Sequence, residues 1–147
     1  MRALDANGVT KIVHRVIAEE VDVFHVVHFS KYLAWFSAAL IAAFESRGLG
    51  PGKFDNDTVQ IRVARVQVAY LKSARLNDVV EVEVLRMELR SKGLLVHVQG
   101  RVGKDLLARG RLTIACVTAA NGELAALPEE VRRAFDVADV SHVGVAA

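Results

Sequence analysis

The hydrophobic and polar positions of the chain change period twice. From Thr10 to Glu19 apolar residues fall at roughly every second position and many are β-branched, which predicts a strand. From Ser30 to Arg47 the sequence turns to Ala, Leu and Phe with no internal Gly or Pro, which predicts a long helix. Ser30 suits its N-cap, and Gly48 followed by Leu49 and Pro51 suits its stop. Leu33, Phe36, Leu40 and Phe44 mark an apolar face, but Trp35, Ala38, Ala39, Ile41, Ala42 and Ala43 make the other sides apolar too. Such a helix must be enclosed. A sheet curled about it would do this, with a second subunit as a further cover.

After a Gly, Pro and Asp-rich loop from Gly48 to Asp57 the period returns to two. Thr58 to Leu71 alternates on Val59, Ile61 and Val63, then changes parity to Val66, Val68 and Tyr70, so a bulge or strong bend is expected at Ala64-Arg65. Asp78 to Leu89 sets Val80, Val82 and Val84 against Glu81 and Glu83. Beyond the turn Ser91-Lys92-Gly93, Leu94, Val96 and Val98 alternate with polar residues. A second turn at Gly103-Lys104-Asp105 leads to Ala108, Gly110, Leu112, Ile114 and Cys116. Three neighbouring strands joined by short turns imply an antiparallel meander. Asn121-Gly122 ends it, a short helix is expected from Leu127-Pro128-Glu129-Glu130, residues 1–8 read as a loose lead-in and residues 137–147 as a tail. Without βαβ alternation or a Gly-rich phosphate loop, a doubly wound nucleotide-binding fold is excluded, and one antiparallel sheet on one buried helix remains.

Composition narrows the class further. A chain of 147 residues with 52% hydrophobic and 24% charged residues is expected to form one domain with its own core. The run from Tyr32 to Phe44 is too short to span a bilayer, so no membrane is expected. A net charge of +2 with scattered basic residues argues against nucleic acid. The single cysteine, Cys116, sits in the apolar run LTIACV and reads as a core residue, which suits a reducing cytoplasm. The five His and the acids lack metal-ligand spacing, so no metal is expected.

Candidate chemistry gathers between the first strand and the helix. Glu19, Glu20 and Asp22 lead through Phe24-His25-Val26-Val27-His28 into the helix start, where unpaired N–H groups and the positive end of the peptide dipoles can hold a developing negative charge. Glu19 and Glu20 read as a solvated strand end, and an isolated Asp in such a place is most often a turn cap.

The segment Asp22-x-x-x-Val26-Val27-His28-Phe29-x-x-Tyr32, with the order of elements, resembles the hotdog-fold acyl-CoA thioesterases of the 4-hydroxybenzoyl-CoA thioesterase and YbgC type. The likeness continues through Val66-x-Val68-x-Tyr70-Leu71-Lys72-Ser73-Ala74-Arg75-Leu76-Asn77-Asp78 and spans residues 10–136. It implies an α+β hotdog fold, one long central helix wrapped by a five-stranded antiparallel sheet, and hydrolysis of an acyl-CoA or acyl-carrier-protein thioester. Asp22 falls at the family's catalytic carboxylate and Phe29 at its backbone oxyanion donor. His25 stands where the family commonly has Gly, a position that favours positive φ; His25 and His28 become either participants or structural residues of the pocket. Phe24, Val27, Tyr32, Tyr70, Lys72, Ser73 and Arg75 are implied substrate contacts, with Lys72 and Arg75 foremost for the phosphates of coenzyme A or phosphopantetheine and Arg90, Lys92, Arg109 and Arg111 next. No resident cofactor is implied. A homodimer with sheets joined edge to edge, or a homotetramer built from two, is. The same fold also serves acyl-CoA dehydratases and non-catalytic acyl-CoA-binding modules; the His28-Phe29 pair resembles a dehydratase His-Phe, without the Pro-Gly that follows there.

Overall fold

In the computed structural model the described residues are 2–4, 10–50 and 58–135. The sheet is antiparallel, and its strands run β1 (Arg2–Leu4), β2 (Thr10–Arg15), β3 (Val59–Tyr70), β4 (Val79–Arg90), β5 (Gly93–Val102) and β6 (Asp105–Thr118), in the spatial order β1-β2-β4-β5-β6-β3. The five expected strands and the β4-β5-β6 meander are present. A sixth is added: within the stretch read as a loose lead-in, Arg2–Leu4 pairs with Thr10–Ile12 along the outer edge of β2. Backbone groups of an exposed edge can pair whatever the side chains, so no apolar alternation announced it. The tail expected over 137–147 lies outside the described residues.

Helix α1 (Ser30–Ser46) lies across the sheet and packs against β2, β4 and β5. Its inner face is Tyr32, Trp35, Phe36, Ala39, Leu40, Ala43 and Phe44, all buried against Val80, Val82, Val84, Val96, Val98, Leu112 and Ile114 of the sheet. Each large side chain fully withdrawn in this way contributes about 1.5–3 kcal/mol. The sheet covers one side of the helix only: Leu33 and Ile41 remain 39% and 52% exposed. Alternation on the strands fixes which residues face inward, but a single sheet meets a helix along one stripe.

The helix ends as the sequence predicts. Gly48 adopts φ 75°, its N–H bonds to Glu45 O at 3.1 Å and the Leu49 N–H to Phe44 O at 2.9 Å, the paired bonds of a Schellman motif, with Leu49 and Phe44 buried together. The start differs. Phe29, at φ −54° and ψ −32°, occupies the capping position, and Ser30 is already the first helical residue. The Ser30 N–H donates instead to His28 Nδ1 at 3.3 Å.

Pairing also registers the expected break in β3. The register shifts between Val63 and Arg65, so Val59 and Ile61 before the bulge and Val68 after it all pack on the core. A further shift between Val84 and Arg86 moves the inward set from Val80, Val82 and Val84 to Met87 and Leu89, a change of parity that the sequence also carries. The first strand is shorter than expected: it stops at Arg15, and Ala18–Glu20 forms a single 3₁₀ turn. Residues 129–135 are helical, and Val131 and Phe135 close the core beside Phe44.

Gly110 of β6 sets how near the helix can come. A Cβ there would lie 2.8 Å from Val98 Cγ2 and 3.1 Å from the Phe36 ring. Gly110→Ala should therefore lower stability by about 1–3 kcal/mol through overpacking, read as a shift of the urea midpoint at unchanged slope.

Candidate active site

Three segments meet at the start of α1. The first is the loop from Val21 to His28. Val21 and Val27 form an isolated antiparallel bridge, the Asp22 N–H bonds to Val26 O at 2.9 Å, and the His25 N–H bonds to Asp22 O at 3.0 Å. Asp22 Oδ1 accepts the Phe24 N–H at 2.8 Å. Asp22 is thus a turn aspartate, yet Oδ2 has no partner among the described residues and the side chain is only part-buried. At the tip His25 takes φ 65°, the left-handed conformation for which the family resemblance would supply a glycine.

The second segment is the helix start. His28 Nδ1 accepts the Ser30 N–H at 3.3 Å and lies 2.7 Å from Ser30 Oγ, so the ring caps the helix start. Phe29 O accepts from the Tyr32 N–H at 3.3 Å and from the Tyr70 hydroxyl at 3.3 Å, whereas its N–H has no acceptor among the described residues. The third segment is the loop after β3. Ala74 joins it to the other two: its C=O accepts the Val27 N–H at 2.9 Å and its N–H donates to Tyr32 Oη at 3.0 Å. Asp78 Oδ2 accepts the Arg75 N–H at 2.9 Å, so Asp78 fixes this loop immediately before β4.

Where the segments meet there is a cavity of about 190 Å³ lined by Val27, Phe29, Tyr32, Tyr70, Leu71, Lys72 and Ser73. Tyr70 stands edge-on to both Phe29 and Tyr32, at ring separations of 6.4 and 5.4 Å. Burial pushes both phenols above their ordinary pKa, so they are neutral donors and acceptors at neutral pH. The structure therefore brings together six of the expected residues, Val27, Phe29, Tyr32, Tyr70, Lys72 and Ser73. It leaves Asp22, Phe24 and His25 on the adjoining loop, His28 at the cap and Arg75 on the following turn, none of them in the cavity wall. Phe24 is 78% exposed. Lys72 Nζ is paired with Asp105 at 3.0 Å, while the Arg75 guanidinium has no partner among the described residues.

A roomier concavity of about 490 Å³ is lined by Gln67, Val68, Ala69, Leu85, His97, Val98, Arg109, Gly110 and Arg111 of the strands. Alternation turns the side chains of Gln67, Ala69, His97, Arg109 and Arg111 to the face opposite the inward-facing Val68, Val98 and Gly110. Arg109 and Arg111 are thus on the outer sheet face, away from the cavity at the helix start.

One residue of the site contradicts the sequence expectation. Glu20, read as a solvated strand end, is buried at 8% exposure, whereas Glu19 is exposed. Its Oε1 accepts the Ile17 N–H at 3.0 Å and meets His14 Nε2 at 2.7 Å; its Oε2 accepts the Trp35 indole N–H at 3.0 Å. Burial alone would raise the Glu20 pKa, but the bonds from Ile17, His14 and Trp35 hold it below the usual carboxylate value. The bond back to Ile17 also closes the 3₁₀ turn that ends the first strand early. A buried tryptophan N–H needs an acceptor, so Trp35 was a signal for such a group, without saying which.

Among the described residues no three His, Cys, Asp or Glu side chains are placed to hold a metal, and no helix is long and apolar enough to cross a membrane. Cys116 is buried, its thiol donating to Ala126 O at 3.5 Å and pushed up in pKa by burial.

The family model that matches residues 16–135 is described as the thioesterase-like superfamily. The chain belongs to that family. This thioesterase has the hotdog fold that the Asp22–Tyr32 motif implied. It is similar to a hypothetical protein from Thermus thermophilus at 30% identity, with 86% of this chain and 97% of that one covered and a TM-score of 0.79. It shares its fold with a 1,4-dihydroxy-2-naphthoyl-CoA thioesterase from Synechocystis, at 16% identity, 88% and 96% coverage and a TM-score of 0.80. A Staphylococcus aureus protein solved in complex with CoA matches at 17% identity, 89% and 84% coverage and a TM-score of 0.81. No curated protein matches the sequence.

His25 is strained in the folded thioesterase by its positive φ. His25→Gly should raise the unfolding free energy by about 0.5–1 kcal/mol, and a loss of stability in denaturant titration would show that the imidazole makes a compensating contact.

Proposed function

We propose that this thioesterase hydrolyses an acyl-CoA or acyl-carrier thioester with Asp22 as its carboxylate and the Phe29 N–H as its oxyanion donor. The supporting observation is that one short loop ends at both groups, each with an uncommitted atom: Asp22 Oδ2 and the Phe29 N–H have no partner among the described residues, while Asp22 Oδ1 and the Phe29 carbonyl are engaged. The thioester carbonyl oxygen would point at the Phe29 N–H, with the α1 dipole behind it. Asp22 then either bonds to the carbonyl carbon or takes a proton from the water that does. The C–S bond breaks, its electron pair leaves on sulfur, and in the first case water hydrolyses the mixed anhydride. A thiol pKa of about 8.5 lets the thiolate depart without a strong general acid. His28 fits a positioning role better than that of a base through Nδ1, because that nitrogen is occupied by Ser30. His25 shapes the loop through its backbone.

The cavity bounded by Tyr32 and Tyr70 would take the part of the substrate next to the thioester, with Val27, Lys72 and Ser73 along the wall. Phe24 at the exposed loop and Arg75 stand further out, and Arg75 is the better placed cation for a coenzyme A phosphate. Lys72 could exchange Asp105 for it, since an exposed pair of this kind is worth about 0–1 kcal/mol. The CoA complex and the CoA thioesterase among the structural neighbours support the handle. The buried Cys116 thiol suits a cytoplasmic location.

The free edge of β3 supports a homodimer. This long outer strand leaves Val63, Val66 and Tyr70 56%, 41% and 45% exposed, and a second copy aligned antiparallel would continue the sheet. The uncovered Leu33 and Ile41 on α1 would remain for pairing dimers into a tetramer.

Thiol release from a panel of aromatic and aliphatic CoA and carrier-protein thioesters tests the hydrolase. Asp22→Asn should cut kcat by about 100-fold or more with intact folding and substrate binding; near-normal turnover would remove Asp22 from the mechanism. In sedimentation velocity the wild type should run as a dimer or larger, and Val66→Asp should shift it toward monomer; an unchanged profile would place the interface elsewhere.

A further inference from the structure

We infer that Glu20 is a positioning residue, which sets the distance between the Asp22 carboxylate and the Phe29 N–H by anchoring the loop that carries the first to the helix that presents the second. The inference rests on the hydrolase reading of those two groups.

The bonds within the Asp22 loop determine its shape but not its place. Asp22 to Val26, His25 to Asp22 and Phe24 to Asp22 Oδ1 all begin and end inside the loop. The loop is tied to the rest of the molecule by the Val27–Ala74 bond, by the bonds of His28 to Ser30 and Lys31 at the helix start, and at its other root by the Val21–Ala18 bond and Glu20. The backbone of Glu20 accepts the His28 N–H at 2.9 Å, closing the base of the loop against the helix start. Its carboxylate reaches in three directions: to Ile17 at the head of its own turn, to His14 on β2 and to Trp35 on α1. Trp35 belongs to the second turn of the same helix whose first N–H groups surround Phe29. Asp22, Val21, Glu20, Trp35 and the first turns of α1 back to Phe29 therefore form a closed circuit of covalent and hydrogen bonds.

Burial gives this circuit its stiffness. Glu20 is shielded from water, and both of its oxygens are engaged by donors, so each bond is charge-assisted and lacks solvent competition. The His14 ring lies 5.1 Å from the Trp35 ring and packs the far side of the same indole. A carboxylate used only to satisfy Trp35 could come from any neighbouring segment. Glu20 supplies it from two residues before Asp22, so movement of one would be transmitted to the other.

Glu20→Gln keeps the bulk but loses the charge and one acceptor oxygen. Its steady-state kinetics should be measured beside Asp22→Asn and the double variant, on the CoA thioester that the wild type turns over fastest. For a positioning role kcat should fall by about 10–100-fold with KM within about twofold, since a misplacement near 1 Å costs on that order. The double variant should be no slower than Asp22→Asn alone, because Glu20 acts through Asp22. A Glu20→Gln enzyme with normal kcat but a lowered melting temperature would reduce Glu20 to a stability role, and multiplying effects in the double variant would mean it acts independently of Asp22; either overturns the inference while leaving Asp22→Asn inactive. Asp22→Asn at full activity would overturn the hydrolase reading as well. Should Glu20→Gln not fold, Trp35→Phe removes only the indole donor while keeping an aromatic ring. It should lose kcat severalfold, and an unchanged kcat would again overturn the inference.

Discussion

Close packing of α1 on the sheet is the constraint from which the rest follows. The helix carries more apolar surface than its sheet covers, and the side it does bury is brought against β6 at a point where only glycine leaves room for Phe36. That approach fixes the height of the helix over the sheet. Everything at its N-terminus, from the His28 cap to the Trp35 indole, is then placed relative to β2 and to the loop after β3. The face left over, around Leu33 and Ile41, is the part of the helix that its own sheet does not hide.

The site proposed at the helix start would be made mostly of main chain. Phe29 contributes an N–H, Ala74 contributes both of its backbone groups, and His25 contributes an unusual φ. Side chains supply the carboxylate, two neutral phenols and the cap. Such a division suits carbonyl chemistry, in which charge develops on an atom that only needs to be met by donors already in place. It also explains how a bulky His can occupy the loop tip: the ring is exposed, and only the backbone torsion is demanded of it.

Much of this was legible beforehand, for a physical reason in each case. Alternation of Val80, Val82 and Val84 declares a buried face, the parity change at Ala64-Arg65 declares a bulge, and Gly48 before Leu49 declares a helix stop, because each depends on neighbours in the chain. The start of α1 was misassigned by one position, since Ser30 has the chemistry of a cap but Phe29 holds the capping position and Ser30's own N–H turns back to His28 Nδ1. Strand β1 was missed, as edge pairing is written in no side-chain pattern. Glu20 was misread most seriously. Two adjacent glutamates look alike in a sequence, and which one turns inward is decided by His14 and by Trp35, fifteen positions further on. Of the residues implied as substrate contacts or catalytic groups, Val27, Phe29, Tyr32, Tyr70, Lys72 and Ser73 do line one cavity, whereas the placing of Arg109 and Arg111 on the opposite sheet face follows from strand parity and was available to be read.

The double role of Ala74 has a consequence for how sequences of this kind can vary. Its N–H and C=O hold Tyr32 and Val27 at once, and its methyl group is fully enclosed. A change of side chain at its exposed neighbours Ser73 or Arg75 leaves both bonds standing. Inserting or deleting a single residue between Tyr70 and Asp78 would not, because it would rotate the peptide groups out of register with two partners that cannot follow. This loop, unlike most surface connections, should therefore be frozen in length even where its exposed side chains can change.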